Sequence, residues 1–293
     1  MTFPRRYRIG LALAGALAVA APVGALATKG AGSYDRPPAD QNRLFYGTDD
    51  QGNLLAFTSR NPDRARSRAI TGLPAGVSLK GIDFRPRTGD LYGVGSDKVV
   101  YRVNPVTAIA VAEGPTFETG TVLASTNLGV DFNPTVDKIR VTSDADDNLR
   151  LDPDTGALVP PAGGGPAVPD AKLNPPGQKV AGSAYTNSAF TATLPTQTIL
   201  YAISTAQDRV HVQSPPNAGT LDAGKPLGRD FVGELGFDIA GRNDVGYIAG
   251  TQYGKSGARL YSVDVTTGRT WNLGRIGDGR TTVTGLAAYQ DLG

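Results

Sequence analysis

Five glycine-led segments recur along the chain at nearly constant spacing: GIDF from Gly81, GVDF from Gly129, GSAY from Gly182, GFDI from Gly236 and GLAAY from Gly285, standing 48, 53, 54 and 49 residues apart. Each of the first four is followed by a turn and a second short apolar run: LYGV from Leu91, IRVT from Ile139, LYAI from Leu200 and GYIA from Gly246. Further strands read from VVYRV at Val99, NLRLD at Asn148, RVHVQ at Arg209 and RLYSVDV at Arg259; in the last, Leu260, Ser262 and Asp264 alternate with Tyr261, Val263 and Val265. Turns such as PRTG at Pro86, PDTG at Pro153 and VTTG at Val265 separate them, giving four short strands per unit. A period near fifty residues built from four strands predicts an all-β fold, the β-propeller, in which each unit is a radial blade and neighbouring blades bury each other's faces. Strands lying between blades are apolar on both sides, so strict alternation is only patchy. The 38 glycines and 21 prolines mark turns and speak against a helical fold.

The two ends of the repeat complement each other. GLAAYQ supplies a first strand with no partners after it, while RLFYGT from Arg43, NLLAFTS from Asn53 and RARSRAI from Arg64 supply partner strands with no first strand before them. Together they complete one blade. The expectation is five four-stranded blades, with the terminal blade closed by both chain ends and no exposed edge of the kind an open stack leaves. Two arrangements compete: six blades, with extra strands inside 157–199, and a double β-sandwich, whose repeat would not predict complementary ends.

Residues 1–27 read as a secretory signal peptide, with basic Arg5, Arg6 and Arg8, the apolar run IGLALAGALAVAA and the small-residue box Ala25-Leu26-Ala27. Residues 28–42 form a polar, Gly/Pro-rich flexible leader, which leaves 43–293 as a single propeller domain. The formal charge of +2 becomes −1 when the three arginines of the signal are removed, so the basicity belongs to targeting and no nucleic-acid partner is expected. The apolar run is shorter than the approximately 20 residues a bilayer span requires, and no later run could cross, so no membrane span is expected after cleavage. The destination is secreted or periplasmic, by the general or the twin-arginine route. Absence of cysteine excludes disulfides, thiolate nucleophiles and cysteine-based metal centres, and the single histidine, His211, excludes histidine-rich ones. GxSxG, Walker, Rossmann and HExxH motifs are absent.

The stretch GVDFNPTVDKIRVTSDADDNLRLDPDTG over 129–156, with AYTNS from Ala184, LYAIS from Leu200, QSPPNAGTL from Gln213 and LG at Leu227, resembles the signature of a bacterial exported family catalogued as domain of unknown function 4394. The likeness runs from about Arg43 to Tyr289. It implies a propeller fold and export, and brings with it no reaction, ligand or catalytic residue. Ala184 and Ala287 stand where the repeat has Asp83, Asp131 and Asp238, so a uniform ring of carboxylates is not expected.

Asp83, Asp131 and Asp238 lie within first strands between apolar neighbours. A buried carboxylate needs donors, so each is expected to cap backbone N–H groups of a turn or of the next strand; axial metal ligation or acid–base chemistry is the alternative, should they converge. The segment SDADDN places Asp144, Asp146 and Asp147 between two strands as a loose calcium loop, without the glycine and distant glutamate of an EF-hand, and a solvated acidic hairpin is the plainer reading. Calcium is the one candidate cofactor. By analogy with propeller loops, this turn shares a face with Asp49, Asp50, Ser96 and Asp97 and with the connections around 70–80, 116–128, 157–181 and 222–235. That face, opening on the axial funnel, is the expected recognition surface. Arg140 and Arg150 bracket the acidic turn and read either as partners of the acids in 144–154 or as an anion clamp. His211, Trp271 and the tyrosines read as packing residues. The stretch VPPAGGGPAVPDAKLNPPGQ over 159–178 reads as a disordered spacer, or else as a lid or partner-binding loop.

The leading functional expectation is an exported, non-enzymatic propeller that binds a cell-envelope ligand, polysaccharide or protein. A carboxylate-dependent carbohydrate or lactone hydrolase or lyase competes with it, and in its glycosidic form would need two carboxyls about 5–9 Å apart around a real pocket. A self-associating surface or matrix protein is the third class.

Overall fold

The computed structural model describes residues 42–117, 123–161, 164–191, 193–241 and 244–289; the expected signal segment and the leader up to residue 41 lie outside the described residues. Five antiparallel sheets form the blades of a propeller. Blade 1 contains β1 (Leu44–Asp49), β2 (Asn53–Thr58) and β3 (Asn61–Ala69). Blade 2 contains β4 (Leu79–Phe84), β5 (Leu91–Gly95), β6 (Val100–Val103) and β7 (Ala110–Ala112); blade 3 contains β8 (Leu128–Asn133), β9 (Lys138–Ser143) and β10 (Asn148–Leu151). Blade 4 contains β11 (Val180–Tyr185), β12 (Leu200–Ser204), β13 (Arg209–Val212) and the short β14 (Lys225–Pro226); blade 5 contains β15 (Phe231–Ala240), β16 (Val245–Gln252), β17 (Arg259–Val263) and β18 (Thr270–Arg275). The last strand, β19 (Val283–Ala288), returns to blade 1 and pairs with β1, Phe45 opposite Ala288 and Gly47 opposite Leu286. The ring therefore closes as the complementary ends require.

The glycine-led segments are the innermost strands, β4, β8, β11, β15 and β19, packed in that order around the axis with β19 meeting β4. Glycine opens each segment because the inner backbones approach too closely for a side chain. A Cβ on Gly129 would stand 2.5 Å from the Ser183 nitrogen, one on Gly182 2.6 Å from the Phe237 Cβ, and one on Gly236 2.5 Å from Leu286. The space left inside this ring is about 10 Å³, roughly one water. Outside it, apolar side chains fill the wedges between blades: Phe237 and Ile239 pack with Ala181, Tyr201 and Ile203 across blades 4 and 5, and Phe45 and Leu55 pack with Tyr247 and Leu260 across blades 1 and 5. Burying one such side chain contributes about 1.5–3 kcal/mol.

Recurrent turns follow from recurrent chemistry. Asn104 Oδ1 accepts from the N–H groups of Val106 and Thr107, Asp152 Oδ1 from those of Asp154 and Thr155, and Asp264 Oδ1 from those of Thr266 and Thr267. Blade 3 departs from the expected four strands. Its outer position holds only a bridge between Leu151 and Leu158, because the chain then enters Pro160 and Pro161, which have no ladder donors.

Candidate functional site

The innermost strands bring Asp83, Asp131 and Asp238 together on the axis, with one carboxylate oxygen from each lying within 4.8 Å of the others. Each also acts as a staple between blades. Asp83 accepts from Phe132 N (2.8 Å) in blade 3, Asp131 from Tyr185 N (3.2 Å) in blade 4, and Asp238 from Ala288 N (2.5 Å) in blade 1. These N–H groups belong to inner strands whose axial edges have no ladder partner, so the capping role expected from sequence is present. Asp83 additionally accepts from Phe84 N at 2.7 Å. Asp131 Oδ2 and Asp238 Oδ1 have no hydrogen-bond partner. All three residues are at most 1% exposed. Burial, and then the charge of Asp238, raises Asp83 well above the ordinary carboxylate range; burial, Asp83 and Asp238 do the same to Asp131. Burial raises Asp238 to about 6, opposed by its backbone donors and by Arg43.

Strand alternation sets the turns at Asp49–Asp50, Ser96–Asp97 and 144–147 on one face with the long blade-to-blade connections, as expected. Their side chains have separate employments. Asp49 is buried and caps its own hairpin through Gln51 N and Asn53 N, Asp50 is exposed, and Asp97 accepts from the Tyr101 hydroxyl at 2.7 Å. Asp144 accepts from Asn127 Nδ2, Asp146 from Gly177 N, and the buried Asp147 from Ser143 Oγ, Ala124 N and Lys172 Nζ. Arg140 and Arg150 do not pair with the acids of 144–154. Both bond Asp170 at 2.7–2.8 Å, and Arg140, 1% exposed, also donates to Asn148, Asn217 and the Tyr185 hydroxyl. The 159–178 stretch, expected as a spacer or lid, is folded over its later described residues: Leu173 is buried and its N–H donates to Asp146 O, while Asn174 N donates to Gly219 O and Asn174 O accepts from Leu221 N in the connection between β13 and β14. A low-complexity composition conceals Asp170 and Leu173, the two residues that anchor it. His211 is buried, its Nδ1 2.8 Å from Asp222 O.

The expected axial funnel on that face is shut by the glycine ring. A cleft of about 180 Å³ lies on the opposite face, lined by Phe84, Arg85, Gly89, Phe190 and Tyr289 among others, with no carboxylate in its lining. The connection between β11 and β12 leaves blade 4 and reaches across the mouth of the axis to blade 2, which is not its neighbour. There Thr191 N donates to Pro86 O at 3.1 Å and the Phe190 ring lies on Gly89. Arg85 beneath is held by Asp137 and Asp154.

The outer rim carries a second constellation. Arg64, Arg66 and Arg68 are exposed on β3, whose only acid is Asp63; Arg66 and Arg68 share a face opposite Ala56 and Leu54. Pro62 and Ala65 of the same strand lie against Gly274 and Gly277 of blade 5, whereas Arg66 and Arg68 share the face of Leu54, which packs toward blade 2. Arg275 stands directly across the sheet from Arg259. None of these five arginines has a hydrogen-bond or ion-pair partner among the described residues. The alternation in RARSR is visible in the sequence; the Arg259–Arg275 pair exists only through the β17–β18 register.

A family model described as Domain of unknown function (DUF4394) matches residues 53–287. No curated protein matches the chain. Among solved structures it is similar to a structural genomics protein of unknown function from Bacteroides thetaiotaomicron, at 12% identity over 86% of this chain and 67% of that one, TM-score 0.48. It is similar also to the hydrazine synthase of Kuenenia stuttgartiensis (13% identity, 74% of this chain, 53% of that one, TM-score 0.37) and to YCF48 bound to a D1 peptide (9%, 81%, 82%, TM-score 0.37). None of these likenesses bears on ligand or activity.

Proposed function

This chain belongs to the DUF4394 family, and we propose that it is an exported, non-catalytic propeller that holds an anionic polysaccharide of the cell envelope on the Arg259–Arg275 pair of blade 5. The observation that carries the reading is the placement of Arg259 directly across from Arg275, with neither side chain bonded to a carboxylate among the described residues. Like charges facing each other across a sheet are destabilising, and a polyanion supplies the missing counter-charge through the planar, bidentate donors arginine offers to carboxylate or sulfate groups. The signal segment supports delivery to the envelope. Support for a non-catalytic role comes from the burial of the axial carboxylates behind the glycine ring and the absence of carboxylates from the lining of the larger cleft.

The test is retention of the purified chain on immobilised polygalacturonate and heparin, with a neutral glucan and duplex DNA as controls. Retention on the anionic polysaccharides is expected to fall as salt rises and to be lost in R259Q/R275Q. Arg275→Glu is expected to abolish retention while stabilising the fold by about 0.2–1 kcal/mol, since it turns a like-charge pair into an opposite one. Unchanged retention in R259Q/R275Q would sink the reading.

A further inference from the structure

We infer that the propeller axis holds one hard divalent cation of the calcium class, bound by Asp83, Asp131 and Asp238. The inference is independent of the polysaccharide reading and concerns residues far from the arginine patch in the fold, at the innermost rather than the outermost strands.

Three observations carry it. First, one oxygen from each carboxylate lies within 4.8 Å of the others, and oxygens bound at about 2.4 Å to a single ion stand no more than about 4.8 Å apart. Second, Asp131 Oδ2 and Asp238 Oδ1 are buried and unpartnered, although each residue's other oxygen is already satisfied by a backbone N–H of the next blade. The staples thus occupy one oxygen of Asp131 and of Asp238 and leave the second of each without a hydrogen bond. Buried carboxylate oxygens in that condition are costly unless a proton or a cation meets them. Third, the cluster is withdrawn from solvent, all three aspartates being at most 1% exposed. Water therefore cannot solvate three charges there as it would on a surface.

The donor set is all oxygen and anionic, which selects a hard cation over zinc or copper. Two positive charges against three negative ones remove most of the repulsion that otherwise raises these groups. Ala184 and Ala287 supply no ligand at the equivalent positions, so the ion is coordinated from three of the five blades and ties blades 2, 3 and 5 to one another. Such an ion is structural and exchanges slowly, because it has no open path to solvent.

The experiment uses the full propeller, residues 28–293, refolded from denaturant in calcium, magnesium, manganese or chelator, since chelation of the folded protein would be slow. The expected results are one equivalent of divalent cation per chain by plasma mass spectrometry, and a thermal midpoint at least ~5 °C higher in the bound metal than in chelator. Asp131→Asn is expected to lose the equivalent and the metal dependence of the midpoint, while D144N/D146N in the acidic turn keeps both. Should Asp131→Asn fail to fold, the metal content and metal-dependent midpoint of the unaltered chain still decide. Absence of a stoichiometric cation with all three metals, or an equivalent that follows D144N/D146N, would overturn the inference.

Discussion

A single residue position in the repeat, two after the glycine, has two duties at once. Where it is aspartate, one oxygen takes the orphan N–H of the next inner strand and the carboxylate joins the axial cluster; where it is alanine, at Ala184 and Ala287, the strand packs without either. The stapling was legible in the sequence, because a carboxylate between apolar neighbours must find donors. The convergence was not, since the distance between residues 48 and 107 positions apart depends on how tightly the ring is drawn. The charged groups that act on the cluster are the three aspartates themselves and Arg43, which opposes the shift of Asp238. A carboxyl whose folded pKa is raised binds protons in excess when folded, so the stability it contributes is full below its unfolded pKa and is lost as pH rises through the folded one. In chelator the thermal midpoint should therefore fall as pH rises from about 4, the unfolded carboxylate range, with the Asp238 step near 6. A midpoint that stays level or climbs over that rise would contradict the burial of these groups. Arg140 teaches a related lesson: its nearest acids in sequence are not its partners, because Asp170 is delivered by a connection that only the packed loop defines.

At the scale of the strand, the glycine-led segments are recognisable by spacing alone, but the reason for the glycine is steric and belongs to the neighbouring blade. Gly236→Ala places a Cβ against Leu286 and the Gly285 backbone, and overpacking of this kind costs typically about 1–3 kcal/mol. Urea denaturation should show the midpoint concentration lowered accordingly with an unchanged slope; an unaltered midpoint would mean the inner strands are not in backbone contact. The outer strands obey a different rule. β3 is exposed along most of its length and its alternate arginines keep an edge from pairing with another chain, which also leaves them free to meet a ligand. Blade 3 stops at three strands where the repeat predicts four, since Leu158 can bridge Leu151 but the two prolines that follow cannot extend a ladder.

The whole molecule is held by closure. β19 is the inner strand of blade 1 and touches blades 2 and 5, so deleting 281–293 removes contacts from three blades together. Loss of cooperative unfolding and of the β-type circular dichroism is expected in that truncation, and a compact, cooperatively melting product would show that the ring does not depend on its last strand. By itself the sequence determined the number of blades, their order and the joining of the two ends, because strand periodicity and turn chemistry are local and repeat five times. Tertiary structure alone decided that three of the repeat positions meet on a closed axis, that Arg259 faces Arg275, and that the loop from blade 4 covers one mouth. Those outcomes depend on inter-blade distance, strand register and the path of a long connection, which are set by packing across the ring rather than by any stretch of neighbouring residues.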